Sequence, residues 1–456
     1  MKIFFQSFGC AKNSVDSEKL IGLLDAAGHK VHFDLRGQAR AYGNSSNQAE
    51  AAIINTCGFI EDAVKENVNA ILDLENLKKS GVIKKIIVVG CLFNRYGEEL
   101  QKEIPSVDLW VKTEDWGTIL RFLSENGKVK TKVSEEHLPW VRGLLKENSA
   151  ASRYLKISEG CDSCCSYCTI PSIRGRARSV PMEQLITEAI KLCEGGAREL
   201  CLIGQDTTLY GSDIYGKPKF EELLNELEKS TPDDIWIRLL YLHPNRVTRK
   251  LIEKAGESKK ILSYLDIPIQ HISESILQSM NRSGDEPRIR DIFRYAREYD
   301  PLFALRTTVM AGFPGETDEH FSRLLDFLEE TQIDRVGVFE YSPEEGTQAA
   351  SFANQTDKRT KKRRASRLMK LQSQISAARQ RLFIDRTLKI LVESTDIKDK
   401  TAWGRSYRDA PEVDGLVGVD FSSEPNGVIK PGEFIYAKIS DSTEHDLFGV
   451  FTREMA

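Results

Sequence analysis

The chain has 456 residues, 40% hydrophobic and 29% charged, with a formal net charge of −4. That length exceeds one ordinary core and points to two to four domains of about 100–200 residues each. The charge balance does not by itself suggest a nucleic-acid or membrane partner, and no run approaches the roughly 18 apolar residues needed to cross a bilayer. Residues 1–6 enter a strand pattern directly, with no leader design, so a cytoplasmic protein is expected. Thiols stay reduced in that compartment. The nine cysteines are odd in number and clustered, which suits metal binding or chemistry better than a disulfide framework.

Up to about residue 145, short apolar strands alternate with helical stretches, the pattern of an α/β domain with a parallel sheet. A strand at 3–5 precedes a helix over 16–27, a strand at 52–54 precedes a helix reaching residue 71, and a strand at 86–89 runs into a turn at Gly90. Between about 150 and 350 the chain repeats strand then helix. Six strand candidates fall at 154–157, 199–203, 235–239, 264–267, 304–309 and 335–339. Six βα units suit a partial, open barrel better than a closed one of eight. A basic helix over 357–383 follows, carrying Lys358, Arg359, Lys361, Lys362, Arg363, Arg364 and Arg367. It reads equally as a solvated connector or as a nucleic-acid or ribosome contact. From residue 386 onward, short strands at 389–392, 434–439 and 447–450 sit between Gly, Pro, Asp and Asn turns, the pattern of a small all-β barrel. The expected domains are 1–145, 150–384 and 386–456.

Directly after the strand at 154–157 comes Glu159-Gly160-Cys161-Asp162-Ser163-Cys164-Cys165-Ser166-Tyr167-Cys168, with C-x3-C-x2-C spacing. Thiolates ligate iron–sulfur clusters, and four would close a cubane. Three leave one iron open. That iron can chelate the amino and carboxylate groups of S-adenosylmethionine, and an electron from the cluster then breaks the S–C5′ bond to release a 5′-deoxyadenosyl radical. Cys164 allows a second reading as two C-x2-C pairs, but zinc ribbons separate their pairs by roughly 12–20 residues and these abut. A third reading is reduced core cysteine.

Cys10, Cys57 and Cys91 each sit just past the C-terminal end of an expected strand. In a parallel α/β sheet those ends share one edge, where ligands bind. Each alone reads as a buried thiol. Their shared position, with Gly9, Gly58 and Gly90 permitting close backbone approach, favours one common site. Cys193 falls in a helical pattern and Cys201 in a strand, and both read as core.

The chain resembles the radical S-adenosylmethionine methylthiotransferases along essentially its whole length. The resemblance rests on Ser7-Phe8-Gly9-Cys10-Ala11-Lys12-Asn13, Asn55-Thr56-Cys57-Gly58, Gly90-Cys91, the cluster stretch with Ile170-Pro171-Ser172-Ile173-Arg174-Gly175, and Gly312-Phe313-Pro314-Gly315-Glu316-Thr317. It departs from the family pattern at Val180 and Cys164, both positions often basic. The resemblance implies two [4Fe–4S] clusters, one on Cys161, Cys165 and Cys168 and an auxiliary one on Cys10, Cys57 and Cys91 that carries the sulfur to be delivered. It also implies S-adenosylmethionine as cofactor and a TRAM-like C-terminal barrel.

Strand-end positions supply the remaining cofactor candidates. They are Gln205 after the second barrel strand, Gln270 beside His271 after the fourth, and the glycine turn with Gly312 and Gly315 after the fifth, whose backbone groups can approach a ligand. Arg306 is a candidate partner for the cofactor carboxylate. The family divides between enzymes acting on a tRNA adenosine and enzymes acting on an aspartate of ribosomal protein uS12. Val15-Asp16-Ser17-Glu18, the stretches at 265–273 and 341–347, and Tyr407-Arg408-Asp409-Ala410-Pro411-Glu412-Val413-Asp414-Gly415 resemble the second branch. RNA-binding barrels want positive charge. From residue 385 this one carries 14 acidic and nine basic residues, a balance of −5, and Asp409, Glu412 and Asp414 together suit a basic protein partner. The implied reaction is methylthiolation of the aspartate β-carbon. It needs a reducing electron donor and a sulfur donor, and a monomer is expected to perform it. A tRNA methylthiotransferase and a non-catalytic iron–sulfur protein that binds ribosomes remain alternatives.

Overall fold

A computed structural model of the chain describes residues 1–33, 49–124, 142–143, 151–282, 284–423 and 429–453. The expected domain boundaries at 145 and 150 lie outside the described residues. The chain divides into two compact units. One comprises Met1–Asn148, Glu159–Asp162 and Cys168–Arg178; the other comprises Ser149–Ser158, Ser163–Tyr167 and Ser179–Ala456.

The first unit holds a parallel sheet of β1 (Lys2–Ser7), β2 (Lys30–Phe33), β3 (Ala51–Thr56), β4 (Lys85–Gly90) and β5 (Leu109–Val111), in the order β2-β1-β3-β4-β5. Its central strands carry continuous apolar runs, Ile3–Phe5, Ala51–Ile54 and Ile86–Val89, because both faces are buried. Ile3, Phe5, Ile53, Ile87 and Val89 enter one core. Their neighbours Phe4, Ala52, Ile54, Ile86 and Val88 enter the other, as the two-residue period of a strand requires. The helix expected from residue 16 begins earlier, spanning Ala11–Ala26, because extended Cys10 stands at its N-cap. The turn expected after Gly90 is instead the immediate start of a helix, Cys91–Glu103.

The second unit opens with β6 (Ser152–Lys156); β7 (Ser158–Glu159) and β8 (Arg178–Ser179) flank the cluster stretch in sequence. Strands β9 (Glu199–Ile203), β10 (Trp236–Leu239), β11 (Ile261–Asp266), β12 (Ala304–Ala311) and β13 (Arg335–Glu340) complete an open six-stranded parallel sheet, ordered β13-β12-β11-β10-β9-β6. All six expected strands are present. The helix Lys358–Arg381 then packs Leu368 and Ile375 into the same core. A closed barrel ends the chain, formed by β14 (Thr387–Asp396), β15 (Thr401–Arg405), β16 (Val417–Asp420), β17 (Phe434–Ser442) and β18 (Leu447–Thr452).

The segment joining β15 to β16 plugs the open sheet. Arg238 donates to the Tyr407 carbonyl (2.7 Å) and Tyr264 to Asp414 (2.8 Å). Arg335 pairs with Asp409 at 3.1 Å and Arg408 with Asp334 at 3.1 Å. Glu199 receives Arg238 at 2.7 Å and Arg405 at 2.5 Å. This corrects the charge argument drawn from the sequence. Asp409 and Asp414 are buried ion-pair partners within the protein, and of the three acids only Glu412 lies exposed.

Candidate functional site

In the first unit β1, β3 and β4 are adjacent, and their C-terminal ends carry Cys10, Cys57 and Cys91. Two glycines let these ends close up. Gly9 has φ +100°, and a Cβ there would lie 2.8 Å from the Cys57 Cβ and 3.3 Å from its sulfur. Gly90 has φ +111°, and a Cβ would stand 2.5 Å from Asn55 Oδ1 and 2.6 Å from the Thr56 carbonyl. L side chains disfavour both the angle and the space. Asn13 Nδ2 ties the ends together by donating to the Phe8 carbonyl (2.9 Å) and the Thr56 carbonyl (3.0 Å). Thr56 Oγ1 donates to the Val89 carbonyl at 2.8 Å.

The group that sequence reasoning missed is Arg174, at the end of the helix Ile170–Arg174 in the same unit. Its side chain is 2% exposed. Nε donates to Cys91 Sγ at 3.2 Å, Nη1 reaches both Glu159 carboxylate oxygens at 2.8 Å and Asp16 at 3.2 Å, and Nη2 donates to Asn13 Oδ1. In sequence it stands within the Ile170–Gly175 stretch, six positions after Cys168, with no sign of its role; its partners are up to 161 residues away. Burial pushes the Cys91 thiol up to about 12, against the opposing pull of Arg174. Burial also raises Cys57, offset in part by the Phe59 amide. Such thiols ionise at neutral pH when a metal displaces the proton.

The cluster stretch has half-buried Cys161, Cys165 and Cys168 and exposed Cys164. In the first unit the Cys161 amide donates to the Gly175 carbonyl at 3.1 Å, and Cys168 Sγ accepts the Ile170 amide at 3.4 Å. In the second unit Arg282 Nη1 lies 3.9 Å from Cys165 Sγ, and Asn281 Nδ2 donates to the Cys164 carbonyl at 2.7 Å. Ser166 exchanges backbone bonds with Met280 and Ala349, both 2.8 Å. Cys193 and Cys201 are buried, as core residues.

The cofactor candidates fare differently from one another. Gln205 follows β9, and its Oε1 is enclosed with no hydrogen-bond partner among the described residues. Gln270 takes φ +70° and bridges to Val309, with its amide on Thr308 (2.8 Å) and its carbonyl receiving Met310 (2.7 Å). The turn after β12 does not offer its amides to a ligand. Those of Gly312 and Phe313 donate to Glu316 Oε2 at 2.7 and 3.3 Å, and that of Gly315 to the Asn354 carbonyl at 2.9 Å. His271 accepts the Ser273 amide, and burial drives its imidazole down to about 3, so the ring is neutral. Arg306 is engaged within the protein. Its guanidinium is held by Asp266 (3.0 Å) and Asp414 (3.3 Å). It also lies six residues before Gly312 on β12, about 20 Å away at the rise of a strand.

Comparison with known proteins agrees with this layout. Residues 155–328 match the radical SAM superfamily, residues 2–112 a family described as uncharacterized protein family UPF0004, and residues 384–451 the TRAM domain. The ribosomal protein uS12 methylthiotransferase RimO of Geobacter sulfurreducens is 42% identical over 455 residues, covering 98% of both chains. Its namesake from Clostridioides difficile is 41% identical over 460 residues, covering all of both. The chain belongs to the ribosomal protein uS12 methylthiotransferase family. Among solved structures, the fold of this family member is similar to the radical S-adenosylmethionine methyltransferase TsrM from Kitasatospora setae, solved with cobalamin and a [4Fe–4S] cluster. The TM-score is 0.55 at 12% identity, over 74% of each chain. It is also similar to the cobalamin-dependent radical enzyme OxsB, with a TM-score of 0.54 at 13% identity, over 80% of this chain and 56% of that one.

Proposed function

We propose that this chain methylthiolates the β-carbon of an aspartate in ribosomal protein uS12, using S-adenosylmethionine and two [4Fe–4S] clusters. The carrying observation is identity of about 40% to uS12 methylthiotransferases across the whole chain. The residues fit the groups this activity requires. Three cysteines follow the ends of adjacent strands, a Cβ at Gly9 would crowd the Cys57 side chain, and a buried guanidinium faces Cys91. That donor set suits a cluster with one open iron.

Cys161, Cys165 and Cys168 hold the cluster that binds S-adenosylmethionine, and Cys10, Cys57 and Cys91 hold the auxiliary one. Bound S-adenosylmethionine and its cluster supply homolytic chemistry able to take hydrogen from an unactivated C–H, which acid–base groups are poorly suited to do. Arg174 neutralises charge at Cys91, and Asp16 and Glu159 fix its fork in place. Gln205 holds an enclosed oxygen without a protein partner among the described residues, available to the cofactor's polar groups. Glu316 shapes the turn after β12 by gathering its amides. No helix among the described residues is long and apolar enough to span a membrane. We place the enzyme in the cytoplasm, acting as a monomer with a separate electron donor and sulfur donor.

The test is anaerobic reconstitution with uS12 and tRNA offered in competition. Mass spectrometry is expected to find methylthio-aspartate on uS12, with 5′-deoxyadenosine released. Methylthiolation of tRNA instead, or no 5′-deoxyadenosine at all, would overturn the reading.

A further inference from the structure

The helix Lys358–Arg381 contains ten Lys and Arg residues and no Asp or Glu. The structure sorts them into two sets. Lys361, Arg364 and Arg379 turn inward. Lys361 Nζ sits 4.7 Å over the Tyr341 ring, Arg364 pairs with Glu316 (3.0 Å), and Arg379 pairs with Asp334 (3.0 Å). Lys358, Arg359, Lys362, Arg363, Arg367 and Lys370, with Arg381 at the far end, are exposed. The acids near this exposed set are Asp318, 3.9 Å from Arg363, and the N-cap Asp357.

A helix face that is merely solvated gains from mixing signs, because opposite charges four residues apart stabilise it and like charges destabilise it. Here Lys358 and Lys362, Arg359 and Arg363, and Arg363 and Arg367 are like pairs at that spacing. Such repulsion is relieved by an external polyanion. From residue 358 to 370 the stripe runs about 18 Å at the helical rise, a length along which a nucleic-acid backbone presents many phosphates.

The stripe also has a defined place. A Cβ on Gly312 would lie 2.4 Å from Lys361 Cγ, and Arg364 grips Glu316 of the same turn. The basic helix therefore starts beside the strand-end turn after β12, on the side of the sheet where Gln205 and Gln270 also lie.

We propose that this stripe docks on an RNA backbone, so that the enzyme acts on uS12 embedded in the RNA of the small ribosomal subunit in preference to free uS12. This rests on uS12 being the substrate and adds the form in which it is presented. The test compares the reconstituted enzyme with a variant carrying Lys362→Gln, Arg363→Gln, Arg367→Gln and Lys370→Gln. All four positions are exposed and glutamine is a good helix former, so the fold is retained; circular dichroism checks this. Binding to small-subunit ribosomal RNA is measured against salt, and kcat/KM is measured on free uS12 and on small subunits. The wild type is expected to favour subunits, with a log–log salt slope that falls in magnitude by roughly 3 when four phosphate contacts are lost. The variant should lose about 10-fold or more on subunits and keep its rate on free uS12. An unchanged salt slope and an unchanged subunit rate in the variant would overturn the proposal, as would a wild-type preference for free uS12. Binding to subunits that survives in the variant and is insensitive to salt would assign contact to protein and also overturn it. If the wild type modifies neither substrate yet binds RNA with the expected slope, the docking surface stands and the substrate reading fails.

Discussion

Replacing Glu199 by glutamine tests whether the C-terminal barrel is built into the radical domain. Glu199 is fully buried and accepts Arg238 Nε at 2.7 Å, Arg405 Nη2 at 2.5 Å and Ser152 Oγ at 2.7 Å. Burial alone would raise its carboxyl; Arg405 and then Arg238 outweigh burial and bring it from 4.5 down to about 2. That difference corresponds to roughly 3 kcal/mol of folding free energy. Because the folded carboxyl titrates below the unfolded one, the contribution is complete above about pH 4.5 and fades as pH falls toward 2. The variant leaves buried Arg238 without its anion and Arg405 with Glu393 alone (2.6 Å), and a loss of about 3–5 kcal/mol is typical of a broken buried pair. Trp236 is 4% exposed, with its ring centroid 4.8 Å from that of Phe434 in the barrel, so in a background with the other four tryptophans replaced by phenylalanine its fluorescence reports the junction. Urea unfolding followed at Trp236 at pH 7 should show Glu199→Gln less stable by about 3 kcal/mol, with a weaker dependence on acid than the wild type. Stability within about 0.5 kcal/mol of the wild type would refute the account, since that is the scale of an ordinary surface change.

Changing Cys10, Cys57 and Cys91 together to alanine should leave about four irons per chain, preserve 5′-deoxyadenosine formation and abolish methylthiolation; iron analysis that finds no loss would remove the auxiliary site. Arg174→Gln removes the buried guanidinium that Asp16 and Glu159 share and should cost about 3–5 kcal/mol in thermal unfolding. It should also make the auxiliary site release iron faster to a chelator, whereas indifference in both assays would deny Arg174 its role. Asp414→Asn should destabilise by about 1–3 kcal/mol through Arg306 and Tyr264 with the KM for uS12 unchanged; a raised KM with unchanged stability would restore Asp414 as a docking residue. Gln205→Ala should raise the KM for S-adenosylmethionine about 5–10-fold, the scale of one neutral hydrogen bond, and an unaltered KM would remove it from the cofactor site.

Strands buried on both faces were legible because they are runs of apolar residues, such as 52–54 and 86–89. The missed strands lacked that signature. Lys30–Phe33 alternates exposed and half-buried positions at the edge of its sheet, and Leu109–Val111 is three residues long at the other edge. Thr401–Arg405 includes Gly404, which a strand tolerates here because a Cβ would stand 2.3 Å from the Leu391 carbonyl. At the site, the cysteines could be found from spacing and strand-end position. Arg174 could not, since its value lies in four partners scattered across the chain. The ion pairs of Arg306 were hidden for the related reason that an arginine on a barrel strand offers no sign in sequence of which partners hold it. Asp414, which holds it, is 108 residues away. The acidity near residue 409 was correctly counted and wrongly interpreted, because composition does not say whether a carboxylate faces water or a buried guanidinium.

The plug that joins β15 to β16 bears on how this enzyme could be re-engineered. A TRAM barrel looks like a module to be exchanged so as to redirect the catalyst to another substrate. In this chain, removing it would take the Tyr407 carbonyl from Arg238, Arg405 from Glu199, Arg408 from Asp334 and Asp409 from Arg335, all buried, where a charge with fewer partners is costly. A successful graft would therefore have to bring along counterparts of Arg405, Arg408, Asp409 and Asp414 in register with the receiving sheet. Barrel and catalytic scaffold are thereby inherited as one unit, and recombination at residue 385 would separate groups that must travel together.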